Sequence, residues 1–366
     1  EGMDTDKDLY EFHVDRLRYL DDQGKALGPL PDLAADTGRA LAAYRNMVLT
    51  RAFDTKTIAL QRTGKCGTYP SVLGHEVIGT AIGQCMKPSD VFVPYYRDQA
   101  AHLLRGVTLT ELLLYWGGDE RGSAWQACPE DLPIAVPIAT QCCHAVGVAS
   151  AMRIRGEHRA VVCSLGDGAT SKGDFLESVN LAGAWHLPVV FVVSNNQWAI
   201  STPRAIQTGC ETIAQKAVSG GLPGHIVDGN DYFAVSDALE RALDRARAGK
   251  GAAVIEAVTY RLGDHTTADD ATRYRDADQL KTAWEKDGVK RLQNYLHRCQ
   301  LWDADQEKTL QSDCRKTVEK AVEDYLATAP EPATAMLDYL FETLPVALQA
   351  QREQLVRRQS VSGGEA

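Results

Sequence analysis

The sequence predicts an α/β protein: a parallel sheet with helices on both faces, preceded by an extended N-terminal arm and followed by a helical C-terminal region. Two short apolar runs rich in β-branched residues, 159–165 and 188–194, carry that reading. Between them, residues 173–186 read as a helix with Phe175, Leu176, Val179 and Ala182 on its apolar side. Strand, helix and strand in this order make a parallel pair. Gly166-Asp167-Gly168 follows the first strand and Asn195-Asn196 ends the second. Both polar groups therefore stand at the carboxyl edge of the sheet, where open α/β sheets bind ligands.

The other elements follow along the chain. Residues 1–36 mix charge with Gly and Pro and read as an arm. Leu41, Tyr44, Met47 and Val48 mark a helix from Thr37 that continues through Phe53 and Ile58. A second helix is expected over 74–84, a short strand over 91–93 and a helix over 109–115. Residues 116–134 read as a long irregular loop, a kind usually functional or mobile. Small residues make 138–154 a closely packing helix, with His144 expected in its core-facing side and the vicinal Cys142-Cys143 serving packing. A strand near 225–227, a helix over 234–248 and a strand over 253–258 come next, then a polar, turn-rich stretch over 261–276. Beyond Ala277 the chain reads as helical, with Leu310, Cys314, Val318, Ala321, Val322 and Tyr325 as a core stripe. The expected divisions are the arm at 1–36, one α/β domain at 37–345, and a C-terminal helix with a disordered tail at 346–366. No Pro/Gly/Ser-rich linker splits the middle.

Composition excludes some functions. With 366 residues, 44% hydrophobic and 24% charged, the chain suits a globular domain with a large core. Its formal net charge of −10 argues against nucleic acid as a partner. No apolar run reaches a membrane span, and the first eight residues do not resemble a signal peptide. Nine scattered cysteines without C-x-x-C pairs fit free thiols in a reducing cytoplasm.

The two strand ends suit one kind of ligand. Mg²⁺ takes one or two carboxylates together with phosphate oxygens. Asp167 offers the carboxylate, Asn196 a neutral oxygen, and the main-chain carbonyl of Trp198 a third donor. The glycines let a diphosphate approach the main chain, where N–H groups at the start of the next helix receive it. Either motif alone is a common turn. Asn196 follows Asp167 by 29 positions across one strand–helix–strand unit, and joined this way the pair resembles the thiamine diphosphate motif.

Four segments extend that likeness: residues 166–173 (GDGATSKG), 195–203 (NNQWAISTP), 227–231 (VDGND) and 260–274 (YRLGDHTTADDATRY). In this order they resemble the α subunit of the E1 component of 2-oxo acid dehydrogenase complexes, with likeness from about Tyr44 to Leu344. The resemblance implies a thiamine diphosphate fold, Mg²⁺, and decarboxylation of a 2-oxo acid with acyl transfer to the lipoyl domain of an E2 acyltransferase. It also implies an α₂β₂ assembly. The Glu that activates the cofactor belongs to the β subunit, so the site lies at an α–β interface and the α chain alone is inactive. Pyruvate is the first substrate reading; branched-chain 2-oxo acids and acetoin are the alternatives within the family. A non-catalytic scaffold is opposed by the intact Asp167, Asn196, Arg97 and His265.

Residue by residue, the resemblance makes Tyr96 and Arg97 diphosphate contacts, with Asp167, Gly168, Ala169 and Asn196 around the cofactor's phosphates and metal. Ile138 stands where the family has an aliphatic wedge beneath the cofactor. Val136 stands where relatives carry Ser. Thr140 and Gln141 match positions that hold K⁺ in some members, although the upstream Ser there is Ala135 here. His265 matches the family's active-site histidine and is the general-acid candidate for the lipoyl step. Arg261 supports its loop or reaches the phosphate, and Thr266 occupies a position phosphorylated in some mitochondrial members.

Overall fold

In the computed structural model, which describes residues 11–338 and 340–362, the apolar runs assemble into one six-stranded sheet. Its strands are β1 (Val14–Leu17), β2 (Val91–Val93), β3 (Val161–Gly166), β4 (Val189–Asn195), β7 (Gly224–Asp228) and β8 (Ala253–Val258), all parallel in the order β1-β7-β8-β4-β3-β2. A two-stranded antiparallel hairpin, β5 (Trp198–Ala199) and β6 (Thr202–Pro203), projects just beyond β4. The helices of the first half are α1 (Thr37–Arg62), α2 (Glu76–Cys85), α3 (Gln99–Leu104), α4 (Leu109–Gly117), α5 (Thr140–Ile154) and α6 (Gly173–Ala184). Those of the second half are α7 (Arg204–Gln207), α8 (Tyr232–Arg247), α9 (Ala277–Glu285), α10 (Gly288–Arg298), α11 (Ala304–Ala327), α12 (Ala335–Asp338) and α13 (Val346–Ser362).

Side chains of a strand alternate between faces, and here each face has its own core. On β4, Val190 and Val192 join α1, α2, α8 and α10 in one cluster. Val189, Phe191 and Val193 join α5 and α6 in the other. Every residue of β4 is buried, as a strand covered on both faces must be. The layering puts the ends of β3 and β4 at the centre of one edge.

The sequence reading and the structure part at a few points. Part of the N-terminal arm is β1, which lengthens the sheet beside β7. Leu20 just beyond it is fully buried, and the main-chain N–H groups of Tyr19 and Leu20 donate to Asp231. Residues 1–10 of that arm lie outside the described residues. The irregular segment 116–134 is anchored: Trp125 and Cys128 are buried, and Asp131 receives both Arg105 and the N–H of Phe92. In α5 the core side is Cys142, Ala145, Val146, Ala149 and Met152, so Cys143 and His144 face outward and His144 is not a core histidine. All nine cysteines are free. The expected C-terminal helix is α13, and of the tail expected to be disordered, residues 363–366 lie outside the described residues.

By contact density the chain divides into residues 1–321 and 322–366. The first unit holds the sheet; in the second, Arg352 pairs with Asp338 at 3.0 Å. Among the described residues, no helix is long and apolar enough to cross a membrane.

Candidate active site

The carboxyl ends of β2, β3 and β4 converge on a cavity of about 360 Å³. Tyr96, Arg97, Ile138, Asp167, Gly168, Ala169, Asn196, Trp198 and His265, read from sequence segments far apart, all line it. Val136 and Arg261 do not. Val136 is 53% exposed outside the lining, whereas Arg261 is fully buried behind the wall and reaches His265, Ile200 and Tyr274.

β3 ends at Gly166, and Asp167 opens a tight 3-10 turn over Asp167–Ser171. Asp167 is 1% exposed, and its Oδ2 has no hydrogen-bond partner. Burial pushes its carboxyl up to about 6, against the pull of main-chain N–H groups and the guanidiniums of Arg261 and Arg204. A Cβ added at Gly168 would meet the Cβ of Ala199 at 2.7 Å, so only glycine lets the β5 hairpin close over this turn.

The two asparagines at the end of β4 divide their work. Asn195 donates to Glu256 at 2.6 Å, tying β4 to β8. Asn196 turns to the cavity; its Oδ1 accepts the N–H of Trp198 at 3.1 Å, and its amide nitrogen faces His75 Nε2 at 3.0 Å. Gln197 between Asn196 and Trp198 sits at φ 72°, a conformation that reverses the chain so that both can face the same ligand.

Opposite lies a basic wall. Arg97 is buried and holds the loop 261–276 in place, donating to the main-chain oxygen of His265 at 2.6 Å and to its Nδ1 at 3.0 Å, with a further bond to the main-chain oxygen of Ser71. Arg261 reaches the same Nδ1 at 3.3 Å. Neither guanidinium is paired with a carboxylate among the described residues. Burial of such charges is costly without a counter-charge, so the wall calls for an anion.

With two guanidiniums on Nδ1, His265 is neutral with its proton on Nε2. Burial, then Arg97 and Arg261, press its pKa down to about 3. A ring so placed donates a hydrogen bond from Nε2 rather than a full proton, which narrows the general-acid role read from the sequence. Tyr96 packs its ring edge-on at 6.2 Å from that of His265.

Sequence reasoning missed His75, which is 2% exposed at the start of α2; burial takes its pKa to about 3, with Arg97 and Arg261 adding to the effect. A lone histidine before a helix carries no signal that separates it from a packing residue. Lys172 and Tyr95 also line the cavity without having been foreseen. Of the pair matched to a K⁺ position, Gln141 lines the cavity with its Oε1 unpartnered, while Thr140 does not line it.

The unmet groups define the ligand class. Asp167 Oδ2, Gln141 Oε1 and Arg261 Nε are all buried without partners. Among the described residues no three His, Cys, Asp or Glu side chains gather as a metal cluster. A cation here would draw on one carboxylate, the Asn196 amide oxygen and main-chain carbonyls, and take its other oxygens from an anionic ligand. A diphosphate carrying Mg²⁺ meets both demands at once.

Comparison with known proteins agrees in extent and in kind. Residues 44–333 match the family model described as dehydrogenase E1 component. The chain is 40% identical over 325 residues to the 3-methyl-2-oxobutanoate dehydrogenase subunit alpha of Mycobacterium tuberculosis, covering 88% of each chain. It is 36% identical over 341 residues to the pyruvate dehydrogenase E1 component subunit alpha of Staphylococcus aureus, covering 92% of this chain and 91% of that one.

Proposed function

This chain belongs to the dehydrogenase E1 component family, and on that premise we propose that it is the α subunit of a thiamine diphosphate- and Mg²⁺-dependent 2-oxo acid dehydrogenase. The single observation that carries the site is the unpaired buried charge: a carboxylate with a free oxygen faces two guanidiniums without carboxylate partners. When bound, thiamine diphosphate supplies the electron sink that lets a 2-oxo acid lose CO₂. The chain's own residues do the rest. Asp167 and Asn196, with the carbonyl of Trp198, hold the cation; Gly168 and Ala169 give the diphosphate room to approach the main chain; Tyr96 and Arg97 bind its oxygens. Arg261 keeps Arg97 and His265 in register from behind the wall, and Ile138, 42% exposed in the lining, supports the cofactor ring. His265 orients the lipoyl group through Nε2–H during acyl transfer. A K⁺ ion beside Gln141 would add a further main-chain anchor.

The partners are an E1 β subunit, which supplies the activating Glu, and the lipoyl domain of an E2 acyltransferase, in a bacterial cytoplasm. Support for the β subunit is chemical: the described lining of the cavity contains one acid, Asp167, and that residue is committed to the cation. Pyruvate is the first substrate reading. The branched-chain reading has its own support in the 40% identity to the 3-methyl-2-oxobutanoate enzyme's subunit. The test is steady-state kinetics of the chain alone and with its β partner, with pyruvate against 3-methyl-2-oxobutanoate. Turnover should require the β subunit, and the higher kcat/KM should name the substrate. Robust turnover by the isolated α chain would refute the half-site reading.

A further inference from the structure

The cation site depends on which way one amide points. A side-chain amide presents oxygen on one side and nitrogen on the other, and rotation by half a turn exchanges them. Only the oxygen binds a cation. For Asn196 the main chain is already held, because the N–H of Arg261 donates to its carbonyl oxygen at 3.2 Å. The remaining freedom lies in the side chain. The N–H of Trp198 can only donate, so the atom it meets at 3.1 Å is Oδ1. The opposite atom is Nδ2, a donor, and it meets His75 Nε2 at 3.0 Å. That ring nitrogen must therefore accept, which puts the histidine proton on Nδ1.

We propose that His75 is a positioning residue that locks the Asn196 amide with its oxygen toward the cation beside Asp167. The inference rests on the cation reading above. Flipping the amide would set two N–H donors against each other at Trp198 and force the His75 proton from Nδ1, where the main chain of Val72 and Leu73 favours it, to Nε2. A second support is the rigidity of the segment that carries the histidine. Ser71 and Val72 bond the buried carboxylate of Asp54 at 2.7 Å each, and Thr259 donates to the carbonyl of Gly74 at 2.7 Å. A Cβ at Gly74 would sit 2.1 Å from the main-chain oxygen of Tyr260, so the segment closes against the chain that follows β8. His75 thus reports to Asn196 from a fixed base, as outer partners of metal ligands do.

The test titrates Mg²⁺ at saturating thiamine diphosphate by calorimetry, on the full chain with its β partner, for wild type and three variants. In His75→Gln the side-chain oxygen reaches about where Nε2 lies and still accepts from Asn196. In His75→Asn the polar atoms stop near Nδ1, and His75→Leu keeps the volume without an acceptor. Mg²⁺ affinity should fall by about 10–100-fold in His75→Leu and His75→Asn, as for other outer-shell losses, and stay within a few-fold in His75→Gln. Unfolding temperature without ligands serves as the folding control; should His75→Leu not fold, the contrast of Gln with Asn carries the test. Equal losses in all three variants would make His75 a packing residue, and no loss in His75→Leu would remove the role altogether. Wild-type protein that binds no Mg²⁺ with the cofactor would overturn the cation reading and this inference with it.

Discussion

Two cavities open at the carboxyl edge of the same sheet, and the larger one is the less promising. The first, about 360 Å³, lies at the ends of β3 and β4. The second, about 770 Å³, lies at the ends of β7 and β8 and is lined by five basic and five acidic residues, among them Arg18, Asp22, Asp228 and Arg291. In the second, the buried guanidinium has found its carboxylates. Arg291, 1% exposed, bonds Asp22 and Asp228 at 2.7 Å each, and Arg18 bridges the same two carboxylates. In the first, Asp167 keeps a free oxygen and the two guanidiniums have no carboxylate. Volume measures room, whereas unpaired buried charge measures demand for a ligand.

Replacing one charge in each cavity breaks the comparison most sharply. Asp167→Ala should abolish Mg²⁺-dependent thiamine diphosphate binding in calorimetry, because it removes the carboxylate assigned to the ion. The fold should survive, and relief of a buried unpaired carboxylate should leave the unfolding temperature equal or raised. Cofactor affinity like that of wild type would sink the assignment.

His265→Ala tests the basic wall from its catalytic side. If the ring serves the lipoyl step, reductive acylation of a lipoyl domain should fall by about 10²- to 10³-fold, the usual worth of one well-placed hydrogen-bond donor. Decarboxylation followed with an artificial electron acceptor should fall less. Equal losses in both assays would place the residue before acyl transfer.

In the larger cavity the corresponding change should act on stability alone. Arg291→Met strips Asp22 and Asp228 of a buried partner. Because both carboxylates keep some exposure, the loss should be about 2 kcal/mol, below the ~3–5 of a wholly buried pair. Denaturant unfolding should register it while cofactor affinity stays unchanged. A drop in that affinity would show that the two cavities are not independent.

An effect of another kind, read only as a dependence on pH, concerns a carboxylate beside the first cavity that is held by neutral groups. Asp98 accepts from Ser164 Oγ and from the main-chain N–H of Tyr95, and burial pushes it up to about 7. A raised acid pKa means that folding takes up a proton. Its contribution is complete below the unfolded value near 3.8 and is lost as pH rises through about 7. The difference in stability between wild type and Asp98→Asn should therefore change with pH over that window, by at most about 1.4 kcal/mol per pH unit for one proton. A difference independent of pH would show that Asp98 does not titrate there.

The sequence by itself determined the parts of the molecule that rest on local pattern. The runs at β3, β4 and β8, the periodic faces of α1 and α8, and the polar residues at the two strand ends are all properties of short windows. Period and composition suffice to read them. Motif spacing alone puts Asp167 and Asn196 at one edge. Only the tertiary structure decided the rest. β1 is short and mixed in character, and it becomes a strand because the edge of β7 is there to pair with it. Asn195 and Asn196 are neighbours of one type, yet the pleat sends one to Glu256 and the other to the cavity. His75 stands 121 positions before Asn196, and nothing in its own neighbourhood separates it from a packing residue. Hydrogen bonds between distant segments, and charges left unpaired by the packing of the whole chain, exist only once the chain is folded.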